Sequence, residues 1–399
     1  MHKPSVLSIA HDSSFTIQAA RLITPHRPTA PAVVEVRDGV VTSIRLPGHH
    51  DPPVGQLIDW PGTITAGMVD AQVNGGLGFD LVTADPSGWR DVATNLLHHG
   101  VTAFCPTAVT APIDSLVRFA EAGNTFATNT LTGQSSCGSA HVLRIHLEGP
   151  IIAATRAGAH DQTWLADDIT EIAARLADIA TRIPLMITLA PELDGGQAAI
   201  ATLTAAGAIV SVGHSDATAA DVHAAAAAGA TWVTHLYNAQ RPLHHREPGV
   251  VGAALVDPRL TCGLIVDRVH LADDAERLAF AAATGRIALV SDAVAAAGMP
   301  PGNYRIGPVT ARLGTSGPPR LTDGTLAGSA LFLDEAVRNC IKIGLDPATA
   351  VTAATAVPAT ALRRHDIGQV KVGCQADLLG WDDDWIVCAV WQPRARVPN

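Results

Sequence analysis

The amino-acid sequence predicts an α/β protein, namely a (β/α)8 TIM barrel with a small β-sandwich domain formed by the N- and C-terminal segments. Three observations support this prediction. Strand-like and helix-like runs alternate between residues 63 and 362, both ends of the chain are rich in β-branched residues, and metal-binding or proton-carrying side chains follow the apolar runs. Polar residues collected at the carboxyl ends of parallel strands are how a barrel of this kind builds an active site.

Length and composition agree with a large folded core. The chain has 399 residues, and a barrel occupies about 250 residues or more as one unit. Hydrophobic residues make up 47% and charged residues 16%, which argues against disorder. The formal charge of −10 argues against nucleic acid or an anionic membrane as a partner. An anionic substrate would therefore need a local cluster of cations.

The N-terminus and the cysteines predict a cytoplasmic protein. No signal-peptide core is present, and no apolar run reaches the roughly 18 residues of a membrane span. The cysteines show no CxxC motif and no framework spacing, so we expect free thiols in a reducing compartment. Cys137 lies in the polar stretch TGQSSCGS and is assigned no role.

The two ends of the chain predict the small domain, which we place at residues 1–62 plus 363–399. In the first segment, Arg37-Asp38-Gly39 separates two β-rich runs, AVVEV and VVTSI, and predicts a hairpin. The last segment, with IGQVKVGCQADLLGWDDDWIVCAVW, has the same character. Two β-rich ends around an α/β middle indicate that the termini meet in one domain.

The middle of the chain, residues 63–362, predicts the barrel. Its strand candidates are 64–73, 101–105, 142–148, 184–189, 208–213, 231–235, 261–266 and 287–292, which is the number that a closed barrel needs. Helix-like stretches lie between them; one begins at a Ser215/Asp216 cap and ends at Gly229. Residues 299–324 interrupt the pattern with Pro, Gly and β-prone residues, and predict a loop or hairpin near the site that could act as a lid.

Ligand-type side chains stand just after these strands: Gln72 and Asn74, Glu148, His214, His235, His270 and Asp292. A single such residue is usually structural, and a buried Glu148 could serve a structural ion pair as well as a metal. However, His214 and His235 follow neighbouring strands. With Glu148 they make a His2Glu set of the kind that leaves one position open for catalytic water.

The remaining candidates suggest proton transfer and substrate binding. Asp292 either caps the following segment or takes a proton from the attacking water and returns it to the leaving group. His160 and His270 could polarise a carbonyl or hold a substrate oxygen. Arg246, beside His244 and His245, could supply the cations for an anionic group; the alternative is a surface pair between Arg246 and Glu247.

Several motifs together resemble the N-acetylglucosamine-6-phosphate deacetylase family of the amidohydrolase superfamily. They are PGTITAGMVDAQVNGGLGFD, HLEGP with AGAH, TLAPE, SVGHSDAT, THLYNA with REPG, LVSDA and GTLAGSALFLDEAVRN, in order over roughly residues 60–380. The resemblance implies hydrolysis of the acetamide of N-acetyl-D-glucosamine 6-phosphate to D-glucosamine 6-phosphate and acetate, in amino-sugar catabolism and cell-wall recycling.

The resemblance also implies roles for individual residues. It carries metal ligation onto Glu148, His214 and His235, the acid/base role onto Asp292, and contact with the substrate carbonyl onto His160. It places Asn238, Ala239, Arg246 and His270 around the sugar phosphate, with Arg246 reaching in from the neighbouring subunit of a homodimer.

Two positions depart from the pattern. The wider superfamily has His-x-His after the first strand, where this chain has Gln72-Val73-Asn74. Amide side chains are weak ligands for zinc or iron(II), so we expect a vestigial second-metal position and one divalent metal per subunit, Zn or Fe(II). In addition, Arg268 follows Asp267 where a glycine is common, which alters the local loop.

Two other functions remain open. One is an amidohydrolase acting on an N-acyl amino acid or a cyclic amide; two-metal enzymes of that type need His-x-His and often a lysine on strand 4, which reads PLMITLAPE here. The other is a non-catalytic binding or scaffold relative. Such a relative should have lost ligands or the aspartate after strand 8, whereas this chain keeps both.

Overall fold

The computed structural model describes residues 5–9, 14–25, 27–48, 52–131 and 138–393. Cys137 lies outside them. In chain order the strands are β1 (Ser5–Ile9), β2 (Phe15–Thr24), β3 (Arg27–Arg37), β4 (Val40–Arg45), β5 (Gln56–Ala66), β6 (Met68–Val73), β7 (Gly75–Gly76), β8 (Phe79–Asp80), β9 (Val101–Val109), β10 (His141–Val142), β11 (Ile145–Glu148), β12 (Leu185–Leu189), β13 (Ile209–Val212), β14 (Trp232–Val233), β15 (Thr261–Leu264), β16 (Ile287–Leu289), β17 (Gly302–Ile306), β18 (Val309–Leu313), β19 (Leu378–Trp381) and β20 (Val387–Pro393).

The helices of the described residues follow the barrel strands or link them. They are α1 (Pro86–His98), α2 (Ile113–Leu131), α3 (Ile169–Ala180), α4 (Gly196–Ala205), α5 (Ala219–Ala228), α6 (Gly249–Val256), α7 (Asp273–Ala282), α8 (Leu333–Lys342), α9 (Pro347–Ala354) and α10 (Ala356–Ala361). None of them combines the length and the apolar character needed to cross a bilayer.

The barrel has the predicted eight parallel strands: β6, β9 and β11 to β16. The last strand is joined back to the first at its carboxyl end. There the Asn74 amide donates to the Ala293 carbonyl at 2.7 Å, and the Asp292 amide donates to the Gln72 carbonyl at 3.0 Å. Because the strands are covered by helices, they are buried on both faces, as their near-continuous apolar runs predict.

The predicted first strand, 64–73, is two strands with different partners. β5 pairs with β2 and β19 in the small domain, whereas β6 pairs with β9 in the barrel. Gly67 separates them, at a point where an added Cβ would lie 2.2 Å from the Thr102 hydroxyl oxygen. The predicted domain boundary at 62/63 therefore falls inside β5, because one continuous β-prone run serves two sheets.

The small domain is one mixed sheet of seven strands, in the order β1-β20-β19-β5-β2-β3-β4. The two chain ends meet in it, since β1 pairs in parallel with β20. The predicted hairpin joins β3 and β4 through Asp38 and Gly39, both with positive φ. The sheet encloses a second core that includes Ile17 and Trp391, while Leu379 and Trp381 of β19 pack into the barrel core.

Two local predictions have different outcomes. α5 ends at Gly229 as predicted, but it begins at Ala219 with a capping box of Thr218 and Asp221. The predicted Ser215/Asp216 cap is wrong, because the Ser215 hydroxyl and the Asp216 amide donate to the Glu192 carboxylate instead.

Residues 299–324 do contain a hairpin, β17 and β18, and its Ile306 reaches the cavity described below. Its role as a lid stays a prediction.

Candidate metal centre and substrate cavity

A cavity of about 350 Å³ opens at the carboxyl ends of the barrel strands. Its volume lies in the range of small-molecule sites. It is lined by residues that follow the strands and by three loop segments: Asn74, Val109, Glu148, Thr155, Arg156, Gly158, Ala159, His160, His214, His235, Asn238, Ala239, Ile265, His270, Asp292, Val294, Ile306, Thr325, Leu326, Ala327 and Gly328. The structure thus brings the residues predicted from strand ends into one cavity, with Gln72 directly beneath it.

Three electron-pair donors converge at the bottom of the cavity. The Glu148 Oε1 atom lies 3.1 Å from His214 Nε2 and 2.8 Å from His235 Nε2. The two Nε2 atoms are themselves 3.1 Å apart. All three side chains are buried, and only a proton or a cation can satisfy lone pairs that point at one another. The donor set, two imidazoles and a carboxylate, fits a zinc-type divalent ion with an open position.

One hydrogen bond fixes His214 in the tautomer that a metal ligand needs. Its Nδ1 atom lies 2.8 Å from the Arg156 carbonyl oxygen, which can only accept. Nδ1 therefore carries the hydrogen, and the Nε2 lone pair faces Glu148 and His235. A ligating histidine commonly has its tautomer fixed in this way. On His235 the buried Nδ1 has no hydrogen-bond partner in the part of the chain that the structure describes.

His160 also approaches the centre, with its Nε2 3.7 Å from Glu148 Oε2. Glu148, His160 and His214 offer ligand atoms that all lie within 4.8 Å of one another, so distance alone would admit His160 as a ligand. However, the Thr110 backbone N–H donates to His160 Nδ1 at 3.2 Å. The hydrogen of the neutral ring must then sit on Nε2. His160 is therefore better suited to donate a hydrogen bond into the cavity, whereas His235, with its Nε2 2.8 Å from Glu148 Oε1, is better placed to be a third ligand.

The amides after the first strand bind Asp292. Gln72 Nε2 and Asn74 Nδ2 donate to its Oδ1 atom at 3.0 and 2.8 Å, and Gln72 Nε2 also lies 3.2 Å from Glu148 Oε1. These N–H groups occupy the side of the centre where the superfamily pattern expects two histidines. These N–H groups hold the carboxylate, while the buried Asn74 Oδ1 has no hydrogen-bond partner among the described residues.

The two buried carboxyl groups have opposite pKa shifts. Burial opposes the ionisation of Glu148, but the surrounding imidazoles of His160, His214 and His235 hold its pKa well below its usual range. Burial and the negative charge of Glu148 raise the pKa of Asp292 to about 7, against the opposing charge of His235. Acid and base roles are commonly separated in this way. Glu148 is suited to remain ionised, and Asp292 to exchange a proton near neutral pH.

The backbone turns sharply where these side chains leave their strands. His214, His235 and Asp292 have φ angles of 49°, 31° and 48°, a left-handed conformation that costs non-glycine residues about 1–2 kcal/mol each. Hydrogen bonds to the carbonyl groups hold it: the Ala153 amide donates to His214 and the Ser329 amide to Asp292, both at 2.9 Å. Such strained, over-determined positions cluster at functional sites.

Arg246 is the predicted site residue that lies outside the cavity of its own chain. It is exposed, on the loop between Arg241 and Pro248, and its amide contacts His244 Nδ1 at 3.4 Å. Among the described acidic side chains none forms an ion pair with it, so the alternative of an Arg246–Glu247 pair is wrong for this structure.

Sequence reasoning missed three contributors. Thr110 follows β9 and sets the His160 tautomer, and Asp267 follows β15 and binds His270 Nδ1 at 2.7 Å. Both stand at strand ends, so the pattern that identified the other residues could have found them. Arg156 contributes its carbonyl to His214 from a loop, where no sequence signal marks it.

The fold and the centre define a class of protein. Residues 63–395 match the amidohydrolase family model, and the chain belongs to the amidohydrolase family. Within that family it is similar to the N-acetylglucosamine-6-phosphate deacetylase of Lysinibacillus sphaericus, with 35% identity over 78% of either chain. It is also 33% identical to the N-acetylgalactosamine-6-phosphate deacetylase of Escherichia coli O157:H7, over 94% of this chain and 97% of the relative.

A solved structure supports the same relationship. The N-acetyl-D-glucosamine-6-phosphate deacetylase of Mycobacterium smegmatis, as a mutant in complex with N-acetyl-D-glucosamine-6-phosphate, superposes with a TM-score of 0.86. The match has 31% sequence identity and covers 96% of this chain and 99% of that one.

Proposed function

We propose that this protein hydrolyses the acetamide of N-acetyl-D-glucosamine 6-phosphate to D-glucosamine 6-phosphate and acetate, a reaction of amino-sugar catabolism and cell-wall recycling. The observation that carries the proposal is the convergence of Glu148, His214 and His235 beside Asp292 in one cavity. This arrangement provides an ion-binding set and a proton carrier for amide hydrolysis, and the similar deacetylases support the choice of substrate.

Glu148, His214 and His235 would hold one divalent metal per subunit, Zn or Fe(II). When bound, such an ion supplies Lewis acidity toward water and the acetamide carbonyl. The amide donors of Gln72 and Asn74 disfavour a second ion. Elemental analysis after reconstitution should therefore give about one ion per chain. Two tightly held ions per chain in active protein would contradict the one-metal proposal.

The chain's own groups move the proton and polarise the substrate. Asp292, held by the two amides, takes a proton from the attacking water and later delivers it to the departing nitrogen of the sugar. His160 donates its Nε2 hydrogen to the acetamide oxygen, on which negative charge develops. Both groups line the same cavity and are buried, which strengthens their electrostatic effect.

The phosphate would lie against the loops of the cavity. Asn238, Ala239 and His270 line it from the same chain, and Arg246 of the partner subunit would complete the site in a homodimer. Two features of the single chain support that arrangement: Arg246 is exposed, away from its own cavity, and Leu243 on the same loop is 46% exposed. An unpaired arginine beside an exposed leucine suits a contact between subunits.

The described cysteines, from Cys105 to Cys388, are free thiols. This supports residence in the cytoplasm, where thiols stay reduced.

The experiment is a measurement of acetate release by the purified, metal-reconstituted protein. Substrates are N-acetylglucosamine 6-phosphate, N-acetylgalactosamine 6-phosphate, free N-acetylglucosamine and N-acetyl amino acids. We expect the highest kcat/KM on N-acetylglucosamine 6-phosphate. Faster release from an N-acetyl amino acid would favour the alternative, an amidohydrolase acting on N-acyl amino acids or cyclic amides. No release from any of them would favour a binding protein.

A further inference from the structure

A polar layer lies in the interior of the barrel, below the metal ligands. It consists of five fully buried side chains: Thr107 of β9, His146 of β11, Thr188 of β12, Ser211 of β13 and Thr234, which follows β14. The interior of a barrel is usually filled by bulky, branched apolar residues. Because buried polar groups need hydrogen-bond partners, a layer of this kind is expected to form a network.

The five side chains form one continuous chain of hydrogen bonds. The His146 Nδ1 atom lies 3.3 Å from Thr107 Oγ1, and its Nε2 atom lies 2.7 Å from Thr188 Oγ1. The hydroxyl oxygens of Thr188 and Thr234 are 2.7 Å apart, and those of Thr234 and Ser211 are 2.5 Å apart. The chain therefore links five successive strands of the barrel, with an imidazole between two sets of hydroxyl groups.

Thr107 determines which nitrogen of His146 carries a hydrogen. The Thr107 hydroxyl donates its single hydrogen to the Cys105 carbonyl at 3.2 Å, and its oxygen accepts from the Val73 amide at 3.1 Å. His146 Nδ1 must then be the donor to Thr107, since the hydroxyl has no second hydrogen. In the neutral ring Nε2 is left as an acceptor, and it accepts from the Thr188 hydroxyl.

The other end of the chain agrees with this direction. Once Thr188 donates to the imidazole, its oxygen accepts from Thr234, and the Thr234 oxygen accepts from Ser211. In the opposite direction the Ser211 hydroxyl hydrogen would have no acceptor among the described residues. Only one direction of the chain therefore uses every hydrogen, and it requires the Nδ1–H tautomer of His146.

The chain reaches the first metal ligand through β11. His146 stands two residues before Glu148, so their side chains lie on the same side of the strand. Glu148 is the partner of Thr188 in the ladder between β11 and β12. The hydrogen bond from Thr188 to His146 therefore joins these two strands a second time, one layer below the carboxylate.

The hydroxyl groups reach the two histidine ligands through their neighbours in sequence. Thr234 directly precedes His235, and Gly213 directly precedes His214. Gly213 packs tightly on the chain, because an added Cβ would lie 2.7 Å from the Thr188 methyl carbon and 2.9 Å from Thr234 Cβ. The backbone that carries each histidine thus rests on a member of the chain.

We propose that His146, as the neutral Nδ1–H tautomer, is a positioning residue for the metal centre, acting through this chain of hydroxyl groups. The proposal rests on the metal site of the proposed function and extends it to side chains that do not touch the ion. A shift of one ligand-bearing strand would lengthen a hydrogen bond in a dry interior, where such a loss is costly. The chain therefore holds Glu148, His214 and His235 at the spacing that an ion needs.

Two substitutions of Thr188 separate hydrogen bonding from packing. Thr188→Val keeps the shape and removes the hydroxyl, whereas Thr188→Ser keeps the hydroxyl and removes the methyl group. Zinc affinity is measured by competition, with a chelator of known affinity added to the zinc-loaded protein. We expect the zinc dissociation constant to rise about tenfold or more in Thr188→Val, as for other residues that orient metal ligands, and less than about threefold in Thr188→Ser.

Thr102→Val is the matched control. Thr102 is a buried threonine of β9 outside the chain, and its hydroxyl contacts the Met68 carbonyl at 3.4 Å. This variant should bind zinc as tightly as the wild type. Unchanged affinity in Thr188→Val, or a larger loss in Thr188→Ser than in Thr188→Val, would overturn the proposal alone. A wild-type protein that binds no zinc would overturn the proposed metal site as well.

A measurement on the wild-type protein tests the chain even if Thr188→Val does not fold. Neutron diffraction from crystals of the perdeuterated, zinc-loaded protein locates the hydrogen positions directly. We expect deuterium on His146 Nδ1, none on Nε2, and the Thr188 hydroxyl directed at Nε2. Deuterium on Nε2 would overturn the proposal, because the chain would then run in the opposite direction.

Discussion

The floor and the wall of the cavity are built differently. The floor consists of side chains that leave strand ends: Gln72, Asn74, Glu148, His214, His235 and Asp292. These side chains are buried and contact one another. The wall consists of loop residues that line the cavity, among them 238–239, 270 and 325–328, and its loops continue away from the cavity into exposed residues such as Arg246 and Arg268. The floor is formed entirely by residues of one chain. In contrast, Arg246 is exposed and lies outside the cavity of its own chain.

This contrast shows that the reacting groups and the groups that select the substrate are held by different parts of the fold. Groups that react must keep their distances within fractions of an ångström, and a hydrogen-bonded ladder of parallel strands holds them there. Groups that select a substrate can stand on loops, whose sequences change without disturbing the barrel. We therefore expect changes in the floor to affect every substrate alike, and changes in the wall to affect only discrimination among substrates.

The largest expected effect is in the floor, at Asp292. Asp292→Asn removes the group that takes and returns the proton, so kcat should fall by more than the roughly 10²–10⁴-fold typical of one acid/base contribution. The loss should be equal on phosphorylated and free sugars, with metal content and circular dichroism unchanged. Turnover near that of the wild type, with metal bound, would contradict the role.

The next effect is in the wall, at Arg246. Truncating one member of a charged pair costs about 2–5 kcal/mol, so Arg246→Ala should lower kcat/KM on the phosphorylated sugar by about 30-fold or more. The free sugar should react at its original rate. Arg182→Ala is a control with the same charge change, because Arg182 pairs with Asp178 on the exposed surface.

The same variant tests whether the arginine crosses a subunit interface. Arg246→Ala chains mixed with Asp292→Asn chains should regain activity, because one site of each mixed dimer would be complete. Equal loss of Arg246→Ala on both sugars would mean that this residue supports its loop.

A smaller effect in the floor is expected from Asn74→Ala. This change removes one of the two amide hydrogen bonds to Asp292 Oδ1 and leaves the bond from Gln72. Loss of one hydrogen bond to a charged group corresponds to about tenfold in kcat. The phosphorylated and free sugars should lose the same factor. A loss confined to the phosphorylated sugar would break the division between floor and wall.

The smallest effect concerns the backbone of the wall. Arg268, on a wall loop, has a left-handed φ of 65°. Arg363, which follows α10 outside the wall, has a similar φ of 62° and serves as the comparison. Replacement of either by Gly should raise the free energy of unfolding by about 0.5–1 kcal/mol, because glycine adopts this conformation without strain. Denaturant unfolding measures the gain, and kcat/KM should stay within about twofold for both. A gain at Arg363 alone would mean that contacts of Arg268 offset its strain.

Much of the fold and of the floor could be predicted from the sequence. Eight apolar runs with helical stretches between them indicate a parallel barrel, and a ligand-type residue after a run must lie on its rim. That reasoning predicts Glu148, His214, His235 and Asp292 on one rim, and the structure brings all four into one cavity. It failed at the first strand, because periodicity cannot tell that the run 56–73 pairs with β2 and β19 before Gly67 and with β9 after it.

The sequence by itself determined which residue types stand at the strand ends, because the strand pattern is local and each polar residue has a fixed place after it. Only the tertiary structure decided what those residues do to one another. It places a backbone N–H at His160 Nδ1 and a carbonyl oxygen at His214 Nδ1, which makes one imidazole a donor and the other an electron-pair ligand. Thr110 is 50 residues from His160 and Arg156 is 58 residues from His214. No local pattern encodes such contacts, since they exist only when the barrel closes.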